Sequence, residues 1–260
     1  MRVTVLLYIL IIAGVCHSSM GLQDGAQKGR ISANEILQKN LIATGGLEAH
    51  KALETLVASG DIHLAATQRI GEYKFSYKAP DNDMLEIRMF GHGATWTGNR
   101  GKRAVNRSTS ELLAVPEPYD SCIWCVIDGV STWIMESNWR TLLRWDFCCA
   151  YNIELIGMGE VDKRLAYGLR FTSKHGGDSF VCFYDRETFL LVRIDRIDRF
   201  RTGPNQIETV HKVESIFRDY REQGGVKLPF VMAIPRPEGE VVFEVSKIKT
   251  GEPIKNSVFE

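Results

Sequence analysis

From about Leu56 to the C-terminus, apolar and polar residues trade places at every second position, in segment after segment. A period of two is the mark of strands with one face buried and one wet. Tyr73, Phe75 and Tyr77 share a face, with Lys74, Ser76 and Lys78 on the other. Leu85, Ile87 and Met89 oppose Glu86 and Arg88. After the turn Gly91-His92-Gly93, Ala94-Thr95-Trp96-Thr97 predicts a short strand. Leu165, Tyr167, Leu169 and Phe171 alternate with Arg164, Gly168 and Arg170. A hairpin turn at His175-Gly176-Gly177-Asp178 leads to Phe180, Cys182 and Tyr184. Leu190, Val192 and Ile194 return after the turn Asp185-Arg186-Glu187-Thr188. A long strand with one charged face covers Ile207 to Tyr220. Val226, Leu228, Phe230, Met232 and Ile234 share one face. Pro229 and Pro235 cannot donate to a ladder, so this strand is predicted at an edge or with a bulge. Val241, Phe243 and Val245 finish the sheet.

Helical spacing is confined to two regions. Ser32 caps a helix and Glu35, three residues on, completes a capping box. Ile36, Leu37, Asn40, Leu41 and Thr44 follow, Gly45-Gly46 ends the helix, and a second short helix is predicted from Leu47 to Leu56. Midway along the chain, Glu111 to Val115 and Asn138 to Tyr151 are also predicted helical. Trp139, Leu142, Leu143 and Trp145 form the apolar side of the second of these. Within this insertion, near 109–151, Asn138 to Tyr151 is expected to lie over the open mouth of the sheet as a lid, with Arg140 and Arg144 facing water or anionic headgroups; its alternative is a helix packed permanently on the sheet as core.

The N-terminus follows a different rule. Met1-Arg2 precede an apolar run from Val3 to Val15, then Cys16, His17, Ser18, Ser19, Met20 and Gly21. A basic start, a short apolar stretch and small residues after it are the grammar of a signal peptide. The run is shorter than the ~20 residues that span a bilayer. The predicted organisation is a signal peptide over 1–21, a flexible segment over 22–31 and a single domain over 32–260. Cys16 would make the protein membrane-associated if acylated, although Val15 before it is bulkier than a lipoprotein site favours.

Lys plus Arg and Asp plus Glu both total 32, so no basic field exists to attract nucleic acid. The basic stretch Asn99 to Arg107 is read as a solvated turn, and Asp195 and Asp198 among Arg193, Arg196 and Arg199 as exposed cross-strand ion pairs. The sequence holds no nucleophile elbow, phosphate loop or paired-histidine metal motif. His50, His63, His92, His175 and His211 are scattered. Catalytic residues, metal ligands and cofactors are therefore not expected. With the signal removed, five cysteines remain, Cys122, Cys125, Cys148, Cys149 and Cys182, so at least one thiol stays free or pairs between chains. Cys122-x-x-Cys125 is followed by Val126-Ile127-Asp128-Gly129, a strand-and-turn pattern without the helix that activates a redox thiol. A zinc site would need the adjacent Cys148 and Cys149 on one tetrahedral ion. A structural disulfide between the 122/125 region and the 148/149 region is the favoured reading, with buried free thiols as its alternative.

Several of these segments, in order, resemble the outer-membrane lipoprotein-sorting family of LolA/LolB-like half-barrels. After the export signal, Ala33-Asn34-Glu35-Ile36-Leu37 and Ala43-Thr44-Gly45-Gly46 resemble its opening helix. Phe183-Tyr184-Asp185-Arg186-Glu187-Thr188-Phe189-Leu190-Leu191 resembles its central hairpin. Phe217-Arg218-Asp219-Tyr220-Arg221 with Gly224-Gly225-Val226-Lys227-Leu228-Pro229-Phe230 resembles its later strand pair, and Ile254-Lys255-Asn256-Ser257-Val258-Phe259 its end. Phe189 stands where the family usually has Gly, and the four cysteines from Cys122 to Cys149 lie outside the pattern.

The resemblance implies an α+β fold, in which helices cover the concave apolar face of a strongly curved antiparallel sheet and leave a cavity. It implies a non-catalytic, periplasmic carrier or binder of lipid or lipoprotein acyl chains, monomeric, with inner- or outer-membrane envelope proteins as partners. On that reading the cavity is lined by Phe75, Tyr77, Leu85, Ile87, Met89, Trp96, Leu169, Phe171, Leu228, Phe230 and Met232. Two other classes stay open. One is an envelope structural or interaction protein with a self-filled sheet, acting through an edge strand or through Trp124–Trp145, which holds four of the five tryptophans. The other is a thiol redox protein acting through Cys122 and Cys125.

Overall fold

The first and last strands of the sheet lie side by side at its centre. Strand β1 (Thr55–Leu64) pairs antiparallel with β12 (Val241–Thr250), and the remaining strands fan out from this seam. On one side follow β2 (Gln68–Lys78), β3 (Asn82–Met89), β4 (Gly93–Arg100) and β5 (Arg103–Thr109). On the other follow β11 (Val226–Ile234), β10 (Ile207–Gln223), β9 (Leu191–Thr202), β8 (Phe180–Asp185), β7 (Arg164–Ser173) and β6 (Tyr151–Val161). The result is one twelve-stranded antiparallel sheet whose edges, β5 and β6, do not meet. The computed structural model describes residues 31–65, 68–90, 93–101, 103–109, 132–144, 150–176, 179–202, 207–236 and 239–260. Ser32–Glu260 forms one compact unit. Among the described residues, three α-helices accompany the sheet, α1 (Ala33–Ala43), α2 (Gly46–Ala52) and α3 (Thr132–Leu143), and a 3-10 turn lies at Asn256–Phe259.

Cross-strand partners fix which residues share a face, because directly opposed side chains point the same way. Ala58, Phe75 and Leu85 are opposed in sequence across β1, β2 and β3, as are Phe171 and Phe180 across β7 and β8, and Met232 and Phe243 across β11 and β12. All but the half-buried Phe180 are buried. The expectation of a single apolar face is corrected on the β6–β12 side. There the opposite face carries its own cluster of Val161, Ala166, Phe183, Ile216 and Ala233, with Val181, Val192 and Val242 packed against it. The guanidinium of Arg193 roofs it, 4.0 Å from the Phe183 ring centre.

Several boundaries move. The second helix ends at Ala52, and Leu56 belongs to β1. The mid-chain helix is Thr132–Leu143 rather than Asn138–Tyr151, and Tyr151 opens β6. Arg103–Thr109 is a strand rather than a turn, so the basic stretch is an edge hairpin. Glu111 to Val115, Trp124, Trp145 and the four cysteines from Cys122 to Cys149 lie outside the described residues. Among the described residues, no helix is long and apolar enough to cross a membrane.

The proline-bearing strand β11 is central, not an edge. Its ladder with β12 runs only from Val231 to Ile234, so Pro229 sits beyond it. There the α1–α2 turn takes the place of β12. The N–H of Lys227, two residues before Pro229 and on the same side of the strand, donates to the Thr44 carbonyl at 3.0 Å. Gly45 has φ +119, and a Cβ on it would fall 2.1 Å from the Gly225 carbonyl oxygen. Only glycine fits a backbone this close.

Candidate functional site

Helix α3 lies across the sheet's main apolar face. Met135, Glu136, Trp139 and Leu143 fall on one stripe of the helix and are all buried. The Trp139 indole stacks on Phe75 of β2, with centroids 5.1 Å apart and planes 7° from parallel. Polar pins hold the helix at both sides. On β9, Arg196 is 6% exposed and faces inward, the reverse of the exposed ion pair expected for it. Its guanidinium donates to Asn138 Oδ1 and, at 2.9 Å, to Thr141 Oγ1. Burial lowers its pKa to about 10, so it stays charged at neutral pH.

On the other side, Asp83 of β3 and Glu136 of α3 are both buried. Asn99 Nδ2 of β4 donates to Asp83 Oδ1 at 3.2 Å and to Glu136 Oε1 at 2.9 Å. Arg140, its side chain 42% exposed, stands 3.3 Å from each carboxylate, so it reaches water while pairing with both. Two carboxylates against one guanidinium leave an excess negative charge, and burial together with Asp83 pushes the Glu136 carboxyl up to about 8. Glu136 therefore carries a proton at neutral pH and bonds to Asp83. The Arg193–Asp195 pair, expected to be exposed, is half-buried at 2.8 Å.

Beside α3 the sheet is not filled. A cavity of about 320 Å³ lies between α1, α3 and strands β8 to β11. Leu37 and Leu41 of α1, Leu142 of α3, and Leu191, Tyr184 and Tyr220 of the sheet supply its apolar wall. A second cavity, also about 320 Å³, lies toward β2 and β3, bordered by Leu53, Tyr77, Asp83, Arg140 and Leu143. His50 and Arg144 border both. His50 is 8% exposed, and burial lowers its pKa, so the ring is neutral. Its Nε2 lies 2.9 Å from Thr44 Oγ1. That hydroxyl also lies 3.0 Å from the Asn40 carbonyl and 3.2 Å from the Leu41 carbonyl. Nδ1 has no partner among the described residues.

Of the eleven residues expected to line a cavity, Tyr77 borders one. Phe75, Leu85, Ile87, Met89, Leu169, Phe171, Leu228, Phe230 and Met232 are buried core. Trp96 lies opposite Glu86, on the polar face, under the guanidinium of Arg107. In the expected lid, Leu142 borders the first cavity and Leu143 the second, while Trp139 is core. His50 escaped the sequence reading because it sits in a short helix with no partner at ligand spacing. Glu136 left a signal that was missed, since it shares the helical stripe of Met135, Trp139 and Leu143. Among the described residues, no group of histidine, cysteine and carboxylate side chains could hold a metal ion.

Motifs far apart in sequence meet around this site. The Asp185 turn is closed by Asp185 Oδ1, which accepts from Thr188 N and Thr188 Oγ1, both at 2.8 Å. Phe189, where the family usually has Gly, adopts φ +57. Its carbonyl accepts from Asn40 Nδ2 of α1 at 2.8 Å, and its ring stacks on Tyr167.

No family model matches the chain, and no curated protein matches it. Solved structures do. A putative outer membrane lipoprotein-sorting protein domain from Vibrio parahaemolyticus aligns with a TM-score of 0.50 at 11% identity, over 86% of this chain and 94% of that one. The fold is that of the lipoprotein-sorting half-barrel. A LolA superfamily protein from Nitrosomonas europaea (TM-score 0.45, 12% identity, 89% of this chain and 98% of that one) also matches. So does a DUF1329 family protein from Desulfovibrio piger (TM-score 0.48, 14% identity, 89% and 98%).

Proposed function

We propose that this half-barrel is a non-catalytic, exported carrier or binder of lipidated or other apolar ligands, acting in the periplasm. The observation that carries this reading is the cavity of about 320 Å³ under α1 and α3, walled by Leu37, Leu41, Leu142 and Leu191. Such a site binds by removing apolar surface from water, at about 0.8 kcal/mol per buried CH₂, and needs no reacting group. Support for export comes from the N-terminal apolar run. Lipid or lipoprotein acyl chains are the proposed ligands, and envelope proteins that load or unload them the proposed partners.

Native mass spectrometry of the purified protein, with lipid extraction, tests this. Bound lipid, or uptake of an acyl probe quenched by substitution of Leu142, is the expected result. Protein that emerges empty and takes up no acyl probe overturns it. One observation favours the self-filled alternative, in which the protein acts as an envelope interaction module. The centre of the face is occupied by Trp139, wholly buried on Phe75. Under that reading an envelope protein is retained on the purified chain and an acyl probe is not.

A further inference from the structure

The two cavities beside α3 adjoin, and their walls differ. The α1–α3 cavity is walled mainly by Leu37, Leu41, Leu142, Leu191, Tyr184 and Tyr220, with Arg144 and Lys227 at its border. The second cavity, also about 320 Å³, is walled by charges of both signs among the described residues: Asp81 and Asp83 with Lys51, Arg140 and Arg144. His50 and Arg144 stand in both walls, so the two spaces meet there. Successive residues of α3 divide between them, Leu142 on the first and Leu143 on the second.

A hydrocarbon chain suits only the first of these walls. In the second, Asp83 is a buried carboxylate with the Arg140 guanidinium 3.3 Å away, and an apolar chain would face both without bonding to either. Opposite charges side by side also discriminate among polar heads. A head with one net charge meets a like charge next to its counter-charge, which works against it. A hydroxylated head or a zwitterion offers donors or charges to the carboxylates and acceptors or anions to the cations. His50, where the spaces meet, is a neutral polar ring, because burial lowers its pKa. Volume sets the sizes. About 320 Å³ is at the small end of the ~300–1,000 Å³ range of ligand pockets, so the first cavity suits one chain rather than several. The second, equally large, is left mostly empty by a lone hydroxyl or carboxyl group.

We infer that the two cavities form one bipartite site for a single-chain amphiphile with a bulky polar head of no net charge. The chain lies along Leu37, Leu41, Leu142 and Leu191, and the head passes His50 into the second cavity, against the Asp83–Arg140 pair. The inference rests on the carrier reading and specifies the ligand class of the same site.

The test is displacement of a fluorescent acyl probe by four competitors of equal chain length, each below its micelle concentration: dodecyl maltoside, dodecylphosphocholine, dodecanol and dodecanoate. The expected result is that at least one of the two bulky-headed competitors displaces the probe at about tenfold lower concentration than dodecanol or dodecanoate, the scale of one net hydrogen bond. The ranking of maltoside against phosphocholine then separates a sugar head from a zwitterion. Lys51→Trp, at an exposed position on the second cavity, fills the head space. It brings the bulky heads to the level of dodecanol and leaves dodecanol unchanged. Asp81→Trp, also exposed on that wall, serves if Lys51→Trp does not fold. Leu142→Trp, in the chain space, weakens all four. Displacement by dodecanol or dodecanoate at least as strong as by both bulky heads overturns the bipartite site and leaves the carrier reading standing. So does a preference that survives both tryptophans on the second cavity, or a Leu142→Trp protein that binds all four as before. If no acyl probe binds the parent protein, the carrier reading falls and this inference with it.

Discussion

The indole of Trp139 lies flat on the ring of Phe75, joining the mid-chain helix to the second strand of the sheet. Both residues are fully buried. Truncation here leaves a cavity that the strands cannot close. Trp139→Ala is expected to lower stability by about 3–5 kcal/mol in a urea titration. The indole N–H has no partner among the described residues, so Trp139→Phe loses ring area and an unsatisfied donor together. It should fall within about 1 kcal/mol of the parent.

Gly45 and Gly46 are adjacent and both have positive φ, yet they should respond differently. At Gly45 a methyl group collides with the Gly225 carbonyl, whereas at Gly46 nothing lies within 4 Å. Gly45→Ala is expected to cost about 3 kcal/mol or more, and Gly46→Ala only the backbone strain, about 1 kcal/mol. Thermal unfolding of the two variants checks this, and similar melting temperatures would contradict the close approach of the two turns.

Stability should fall as pH rises from about 4.5 to about 8. Glu136 is raised in the folded protein from 4.5 to about 8, by burial first and by Asp83 second. Between those values the folded protein holds a proton that the unfolded chain has released, so folding takes up a proton and weakens with pH. The contribution is fully present below about 4.5 and lost above about 8. Glu136→Gln keeps the hydrogen-bonding shape without the titration. Urea midpoints of the variant should therefore flatten across this window, and at pH 9 it should be the more stable protein.

Arg196 secures the other side of α3. Arg196→Met keeps the apolar stem but leaves Asn138 and Thr141 without their donor. Amide exchange across Thr132–Leu143 should then accelerate about tenfold while β1 and β12 are unchanged. Equal protection in both proteins would show that packing alone holds the helix.

Cys182 is buried, and burial pushes its thiol up to about 12, so it remains protonated and poorly nucleophilic. Iodoacetamide should label it in the denatured protein and leave it unlabelled in the native one. Labelling of native Cys182 at pH 8 would contradict its packing between Leu169 and Ile194.

Alternation made most of the sheet legible, since a half-buried strand has to alternate. It failed where the backbone leaves that rule. The expected face of Leu190, Val192 and Ile194 is broken by the irregularity between Phe183 and Tyr184, which turns Leu191 and Ile194 inward and Val192 outward. Pro229 was misplaced because a helix turn, invisible to strand periodicity, serves the neighbouring N–H. The site was less legible than the fold. Phe75, Phe171 and Met232 are apolar in the pattern whether they line a void or fill it, and only packing separates the two outcomes. Inward charges such as Arg196 and Asp83 resemble surface residues until their partners from another element are placed beside them. Phe189 is the converse case. It stands where the motif usually has Gly, and its φ is positive.

The seam between β1 and β12 also orders events in time. Strands joined by hairpins assemble as soon as their neighbours exist, but this pair waits for Val241–Thr250, the last strand of the sheet. Contacts so distant in sequence are slow to form. Until then β1 presents an unpaired edge that other chains can seize. Removing β5 would trim a border, whereas losing β12 would divide the sheet into two halves that share no ladder.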